Sequence, residues 1–394
     1  KPQKNTEYFV NFSVVTVQPE GLIHEGHEIA SEQFRLPIEP IKSDLKTSGP
    51  ALSVSENGDE LVTSSSKVNF VFNKKTGLVS SYKVGSTEYF SEGFGLQPNF
   101  WRGPTDNDYG NGQPKREQIW KQSSKNFNVS DATVKMDGKN AIMTINYLLP
   151  AGNLYIVDYT IYPSGAVHVA AHFTSTEMKE AETEVSEATR TATFTPGRDA
   201  ARKEASKLTV PRIGVRFRMP VTMNQVEYFG RGPEENYWDR KAGTLVGLYK
   251  STAEDLYFPY VRPQENGHHT DTRWVSVSSN KGKGLKIVAD ELIEFNALRN
   301  SIEDFDDEEQ TNLPRQWSNF TPEQIANHDE AAAKNVLRRQ HHINDVTPRN
   351  YVEVCIDLKQ QGVGGYDSWG ARPEPQYTLP ANKDYQWGFT IIPE

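Results

Sequence analysis

The chain has 394 residues, 43 Lys and Arg against 52 Asp and Glu for a net charge of −9, and 36% hydrophobic residues. That is enough apolar material for two or three packed domains, and the acidic balance with scattered Lys and Arg excludes a broad basic field for nucleic acid. No run nears the ~18 consecutive apolar residues of a membrane-spanning helix, so a soluble chain without membrane contact is expected.

The chain opens Lys1-Pro2-Gln3-Lys4-Asn5 with no Met, apolar h-region or cleavage site, so a native N-terminus is not expected here and the compartment is unreadable. Residues 1–37 read as strands, with Tyr8-Phe9-Val10-Asn11-Phe12-Ser13-Val14-Val15 prominent, and a Pro- and Ser-containing linker follows over 38–51. Thirty-seven residues make a poor sandwich alone, so they read as the tail of a preceding β domain. His24-Glu25-Gly26-His27-Glu28 lacks the one-turn histidine spacing of a helical zinc motif and reads as solvated linker.

From residue 52 the pattern has period 2. Val68, Phe70 and Phe72 share a face, and a Lys74-Lys75-Thr76-Gly77 turn leads into Leu78–Val84, which predicts a hairpin. A second hairpin runs from Leu154 to Tyr162, turns at Pro163-Ser164-Gly165 and returns to Phe173. Many short strands without a βαβ rhythm predict an all-β fold of antiparallel sheets packed face to face. Two stretches break the rhythm and read as insertions. Residues 177–206 are rich in Glu, Ala and Lys, and the acidic run 303–309 leads to Thr321-Pro322-Glu323-Gln324, a capping-box start for a helix over 322–338. The single cysteine, Cys355, excludes an internal disulfide, and within Val352-Glu353-Val354-Cys355-Ile356 it reads as a small buried hydrophobe.

Five clusters interrupt the alternation. They are Phe100-Trp101-Arg102-Gly103-Pro104-Thr105-Asp106-Asn107-Asp108-Tyr109-Gly110, Gly230-Arg231-Gly232-Pro233-Glu234-Glu235-Asn236-Tyr237, Pro259-Tyr260-Val261-Arg262-Pro263-Gln264-Glu265-Asn266-Gly267, Thr272-Arg273-Trp274, and Gly362-Val363-Gly364-Gly365-Tyr366-Asp367-Ser368-Trp369-Gly370. Singly each is ordinary loop chemistry, with Asx side chains bonding their own backbone and Gly supplying positive φ. In this order and spacing they resemble the C-terminal β-sandwich of LacZ-type β-galactosidases of glycoside hydrolase family 2, called the small-chain domain. The resemblance covers residues 52–394 and implies a large antiparallel β-supersandwich of galactose-mutarotase-like fold, preceded over 1–37 by the last strands of an immunoglobulin-like sandwich.

The same resemblance implies function. Such enzymes perform retaining hydrolysis with two carboxyl groups, which the family carries on a (β/α)₈ barrel, so no catalytic residue and no metal are expected in this chain. Mg²⁺ and Na⁺ are expected for the intact enzyme through that barrel. The expected partners are a β-galactoside such as lactose, the remainder of the polypeptide and further copies in a homo-oligomer.

Trp369 matches the family's pocket tryptophan, whose indole face suits the apolar C–H face of a sugar, with Asp367 and Ser368 beside it as substrate contacts. Tyr366 departs from the Asp or Asn that precedes Asp367 in many relatives. Gly110, Asn111 and Gly112 match a mobile entrance loop, and two glycines lower the cost of switching backbone wells.

The carboxylates Asp106, Asp108, Glu234, Glu235, Glu265, Asp271 and Asp367 read mainly as loop ties, with Arg102, Arg231, Arg262 and Arg273 as ion-pair partners. A different class of function, a stand-alone carbohydrate-binding or mutarotase-like module, needs a His and a carboxylate flanking a groove. His268 with Glu265, beside Asn266, is the pairing that would face such a ligand.

Overall fold

The computed structural model describes residue 3 and residues 6–38, 44–175, 208–306, 342–367 and 370–394. The charged stretch 177–206, the helix expected over 322–338, Ser368 and Trp369 lie outside the described residues. The chain divides into two units, Lys1–Thr47 and Ser48–Glu394. In the first, strands β1 (Phe9–Val15) and β2 (Glu28–Arg35) form an antiparallel ladder in which Val10 opposes Phe34 and Phe12 opposes Glu32. Phe12 and Phe34 meet edge to face at 5.9 Å while both stay exposed. His24 and His27 are exposed.

The second unit begins with a five-stranded sheet in chain order: β3 (Ser53–Asn57), β4 (Glu60–Ser64), β5 (Val68–Asn73), β6 (Leu78–Val84) and β7 (Thr87–Glu88). The expected hairpin is β5–β6, with Asn73 opposite Leu78 and Gly77 closing the turn at φ +69°. After β8 (Gln97–Asn99) come three short helices, α1 (Asp106–Gly110), α2 (Gln113–Arg116) and α3 (Gln118–Ser123). A meander follows through β9 (Asn128–Asp137), β10 (Asn140–Leu148), β11 (Leu154–Ile161) and β12 (Val167–Thr174). The second expected hairpin is β11–β12, in which Ile161 opposes Val167. The remaining strands are β13 (Arg212–Pro220), β14 (Gln225–Gly232), β15 (Leu245–Thr252), β16 (His269–Ser278), β17 (Gly284–Leu298), β18 (Tyr351–Gln360) and β19 (Tyr385–Pro393).

Twelve strands join into one antiparallel sheet, ordered β15-β14-β16-β17-β19-β12-β11-β10-β9, with β18, β13 and β8 branching from β17. The branch arises because β17 is long enough to serve two ladders. Leu285–Ala289 pair with β19, whereas Glu294–Leu298 pair with β18, and the exposed Asp290, Glu291 and Leu292 lie between. One core joins the two sheets: Phe70 packs on Tyr159 at 5.6 Å, Phe72 on Tyr147 at 6.4 Å, and Phe90 on Phe217 at 5.3 Å. The expected all-β antiparallel sandwich is therefore present. Phe100 meets Tyr155 at 5.3 Å and Trp120 at 6.3 Å, which anchors the backbone just before the first motif loop.

Strand β18 lies between β13 and β17, and Tyr351 through Asp357 are buried on both faces. Cys355 is buried as expected. The apparently outward residues Glu353 and Asp357 need interior partners. Arg216 and Arg218 approach Glu353 at 3.2 and 3.3 Å, and Arg212 approaches Asp357 at 3.2 Å. Gly214 on β13 leaves room for Asp357, since an added Cβ would overlap Asp357 Oδ1 and lie 2.6 Å from the Ile356 carbonyl oxygen. Gly214→Ala is expected to destabilise the domain by about 1–3 kcal/mol, the usual cost of overpacking, read as a lowered urea midpoint.

Candidate functional site

A polar cavity of about 580 Å³ opens among loops of the second unit. Residues from four of the five motif clusters line it: Thr105 to Asn107, Tyr237, Tyr260 with Gln264 and Glu265, and Val363 to Gly365 with Asp367. Arg240 completes the wall. The Thr272-Arg273-Trp274 cluster does not reach it. It lies in β16, with Lys286 Nζ 3.7 Å from the Trp274 ring.

The first loop is set by Thr105 and Asp108. The Thr105 hydroxyl accepts from the Asp108 amide at 3.2 Å, and the Asp108 carboxylate accepts from the Thr105 amide at 3.0 Å, a capping box that starts α1. Asp108 also takes Nε and Nη2 of Arg102 at 3.1 and 2.9 Å, and both side chains are fully buried. Arg102 spends its remaining donors on the carbonyls of Gln361 (2.7 Å) and Gly362 (3.2 Å) and on Gln360 Oε1 (3.2 Å). One guanidinium thus ties the first motif to the last.

The last motif leaves β18 as a strap. Asp239 accepts from the amides of Val363 and Gly364 at 3.0 and 2.8 Å, and Gly364 and Gly365 take φ of +64° and +98°. Asp367 Oδ1 accepts from the Ala371 amide at 3.0 Å. Gly370 meets the expected entrance loop, where a Cβ would fall 2.5 Å from the Gly110 carbonyl carbon and 2.6 Å from the Asn111 nitrogen. Gly110 ends α1, Gly112 precedes α2 at φ +74°, and Asn111 receives Arg116 Nη1 on its carbonyl at 2.8 Å and the Gln113 amide on its side chain at 3.1 Å.

The third wall is held by carboxylates facing inward to the loops. Glu235 accepts from the Gly267 amide at 2.6 Å and from the Tyr260 hydroxyl. Burial raises its pKa, and those donors only partly oppose the shift. Asp106 and Gln264 bond reciprocally, amide to Oε1 at 3.1 Å and Nε2 to Oδ2 at 3.2 Å, and Arg262 adds an ion pair to Asp106 at 3.2 Å. Arg231 pairs with Asp271 at 2.6 Å, and Arg273 donates to the Asp271 backbone carbonyl at 2.6 Å.

His268 and Asn266, expected to face a ligand, do not line this cavity. His268 is 0% exposed, with Nδ1 2.8 Å from Asn296 Oδ1 and Nε2 3.0 Å from Glu294 Oε2. Asn296 donates its own amide to Asn266 O and Glu265, so its Oδ1 can only accept, and both ring nitrogens must donate. A protonated ring thus finds an acceptor at each nitrogen. Burial opposes the charge, and the bond to Glu294 overcomes it to raise the pKa. Tyr237 stacks on the ring at 5.5 Å and stands between it and the cavity. Asn266 is buried and spans its own loop, accepting from the Phe258 amide and donating to the Gln264 carbonyl.

Glu265 touches the cavity wall, but its oxygens are used by Arg212 (2.9 Å), the Gly103 amide (3.1 Å) and Gln360 (3.0 Å). Burial pushes its pKa up, and Arg212, His268 and Arg102 outweigh that to hold it below the ordinary range. The acid–base pairing of His268 with Glu265 is thus an interior structural network.

Sequence reasoning missed Asp239 and Arg240. Their only signal is Trp238-Asp239-Arg240 directly after the Glu-Asn-Tyr motif, in a stretch with no strand period. Arg240 is exposed at the cavity and makes no side-chain hydrogen bond or ion pair among the described residues. With Arg240 and Asn107 as donors, Asp367 as acceptor, and the rings of Tyr237 and Tyr260, the cavity has the chemistry to recognise a polyhydroxylated ligand.

A family model described as the β-galactosidase small chain matches residues 64–391. A β-galactosidase of Priestia megaterium is 30% identical over 98% of this chain and 32% of its own length. One from Streptococcus thermophilus is 25% identical over 100% of this chain and 34% of its own length. The chain thus spans about a third of these relatives. Among solved structures, a galactose 1-epimerase from Lactobacillus acidophilus covers 87% of this chain and 98% of its own at 9% identity and a TM-score of 0.39. A galactose mutarotase related enzyme from the same species covers 85% and 97% at 11% identity and a TM-score of 0.39.

Proposed function

Because the chain belongs to the β-galactosidase small-chain family, we propose that it completes the sugar pocket of a retaining β-galactosidase whose reacting groups stand on another part of the polypeptide. The supporting observation is that loops from four distant motifs meet at one cavity whose carboxylates are mostly engaged. A retaining glycosidase needs two carboxyl groups about 5–5.5 Å apart, one free to protonate the leaving oxygen and one to attack the anomeric carbon. Asp106, Asp108, Glu235 and Glu265 spend their oxygens on Arg, Gln, Tyr and backbone donors instead.

The role left to this chain is recognition of a terminal β-D-galactosyl group, as in lactose. Arg240 and Asp367 supply hydrogen bonds, Trp369 is assigned the apolar face for the sugar and Ser368 a substrate contact, and residues 110–112 form the entrance. Mg²⁺ and Na⁺ fit poorly at this wall. Asp106 is already paired with Arg262 and Gln264, and no group of three His, Cys, Asp or Glu among the described residues could hold a metal. We assign those ions, like the acid and nucleophile, to the rest of the polypeptide, and we assign the outer sheet surface to scaffolding a homo-oligomer.

In the full-length polypeptide, Arg240→Met, Asp367→Ala and Trp369→Leu are each expected to raise KM for a chromogenic galactoside about 5–50-fold with a smaller change in kcat, the signature of binding shared by ground and transition states. Unchanged KM in all three variants would move the substrate elsewhere. The chain by itself should leave the same substrate uncleaved, and enzyme-like turnover by pure preparations would refute the division of labour.

A further inference from the structure

We infer that Asp239, a residue outside the cavity lining, is a positioning residue that sets the shape of the pocket through the strap 361–365; the inference rests on the proposed function of the cavity. The strap begins where β18 ends at Gln360; the amides of Gln361 and Gly362 still reach the carbonyls of Pro211 and Tyr377 at 3.0 and 2.8 Å, whereas those of Val363 and Gly364 have no backbone acceptor. Buried amides without a partner are costly. Asp239 meets the need from 124 and 125 residues away in sequence, with Oδ1 on the Val363 amide at 3.0 Å and Oδ2 on the Gly364 amide at 2.8 Å.

Charge-assisted bonds of this kind are about twice as strong as neutral ones, and a carboxylate presents both oxygens in one plane to two successive amides. The approach is close enough to dictate sequence. A Cβ on Gly362 would lie 2.5 Å from the Asp239 carboxyl carbon, so only glycine fits there.

Arg102 holds the preceding carbonyls of Gln361 and Gly362. Four consecutive residues are therefore gripped by opposite charges, carbonyls by the guanidinium and amides by the carboxylate. Beyond the grip, Gly364 and Gly365 take left-handed φ and the chain turns to bring Asp367 to the cavity. Asp239 thus fixes one wall at a distance, while its neighbour Arg240 stands in another. Without the carboxylate, the two glycines let the strap sample other backbone wells, and a ligand would have to pay for reordering it.

The test uses the full-length polypeptide with Asp239→Asn, Asp239→Ala and, as a reference for the cavity itself, Asp367→Ala. The expected result is a KM raised about tenfold or more in Asp239→Ala, with a smaller rise in Asp239→Asn, which keeps one acceptor, and kcat changed far less. Hydrogen exchange should quicken in peptides spanning 361–367 while the thermal midpoint moves little. If Asp367→Ala raises KM and neither Asp239 variant does, the positioning role is wrong and the cavity reading stands. If none of the three changes KM, the cavity is not the sugar site and both fall. A lowered midpoint with unchanged KM at a permissive temperature would make Asp239 merely structural and overturn the inference. Should Asp239→Ala fail to fold, the milder Asp239→Asn carries the same comparison.

Discussion

Arg102→Met is expected to lower the unfolding free energy of the domain by about 3–5 kcal/mol, the cost of removing one partner of a buried ion pair. Arg102 is 0% exposed and all of its donors are used, two toward Asp108 and the rest toward the strap. Methionine fills much of the volume but leaves Asp108 as an uncompensated buried carboxylate and leaves the carbonyls of Gln361 and Gly362 without a donor. The two losses can be separated. In Arg102→Met/Asp108→Asn the stranded charge is gone, so the double variant should be more stable than the sum of the single changes predicts. Urea unfolding followed by far-UV circular dichroism measures all three. A single variant within 1 kcal/mol of the parent, or strict additivity, would mean that the pair does not carry the load assigned to it.

The parts of this fold that could be read from sequence are those whose signals are local. β5–β6 and β11–β12 announce themselves by alternation across a glycine turn, and the register follows from turn length. β18 hides its nature because alternation reports one wet face only when one layer covers the strand. Val352-Glu353-Val354-Cys355 looks half exposed, yet the glutamate points at Arg216 and Arg218 on a neighbouring strand. No local pattern marks a carboxylate as interior when its partner is more than a hundred residues away.

The site divides in the same way. The order of the motifs marks which loops belong together, because each contains the Gly, Asn and Asp that turns require. It does not say which side chains face the opening. His268 sits beside Asn266 and Gly267 in a loop motif, but β16 begins one residue later and the ring turns inward to Glu294 and Asn296 on β17. Asp239 is the converse case, an undistinguished residue whose importance exists only through a contact 124 residues away.

The interior network around His268 makes a second large prediction. Two buried cations, Arg212 and His268, stand among three buried carboxylates, Glu265, Glu294 and Asp357. The surplus negative charge is relieved by a proton on Asp357. Burial, with Glu294 and Glu265 nearby, overrides the attraction of Arg212 and His268 and pushes its pKa from an ordinary 3.8 up to about 7. Neither Asp357 oxygen accepts a well-formed hydrogen bond, although Arg212 Nε lies 3.2 Å from Oδ2. Between pH 4 and 7 the folded protein therefore keeps a proton that the unfolded chain has released, and stability from this group falls as pH rises.

A pKa moved from 3.8 to about 7 corresponds to a loss of roughly 4 kcal/mol across that window. His269 acts in the opposite sense. Burial lowers its pKa to about 4, so its contribution grows between pH 4 and 6.5 and masks the trend in the parent protein. Comparison with Asp357→Asn removes the mask, because the amide resembles the protonated acid and does not titrate. The stability of the parent minus that of Asp357→Asn should fall from pH 4.5 to about 7, by several kcal/mol, and level off by pH 8, in urea titrations at four or five pH values. A difference that stays flat would mean that Asp357 is ionised in the fold, and that the network carries the third negative charge without a proton.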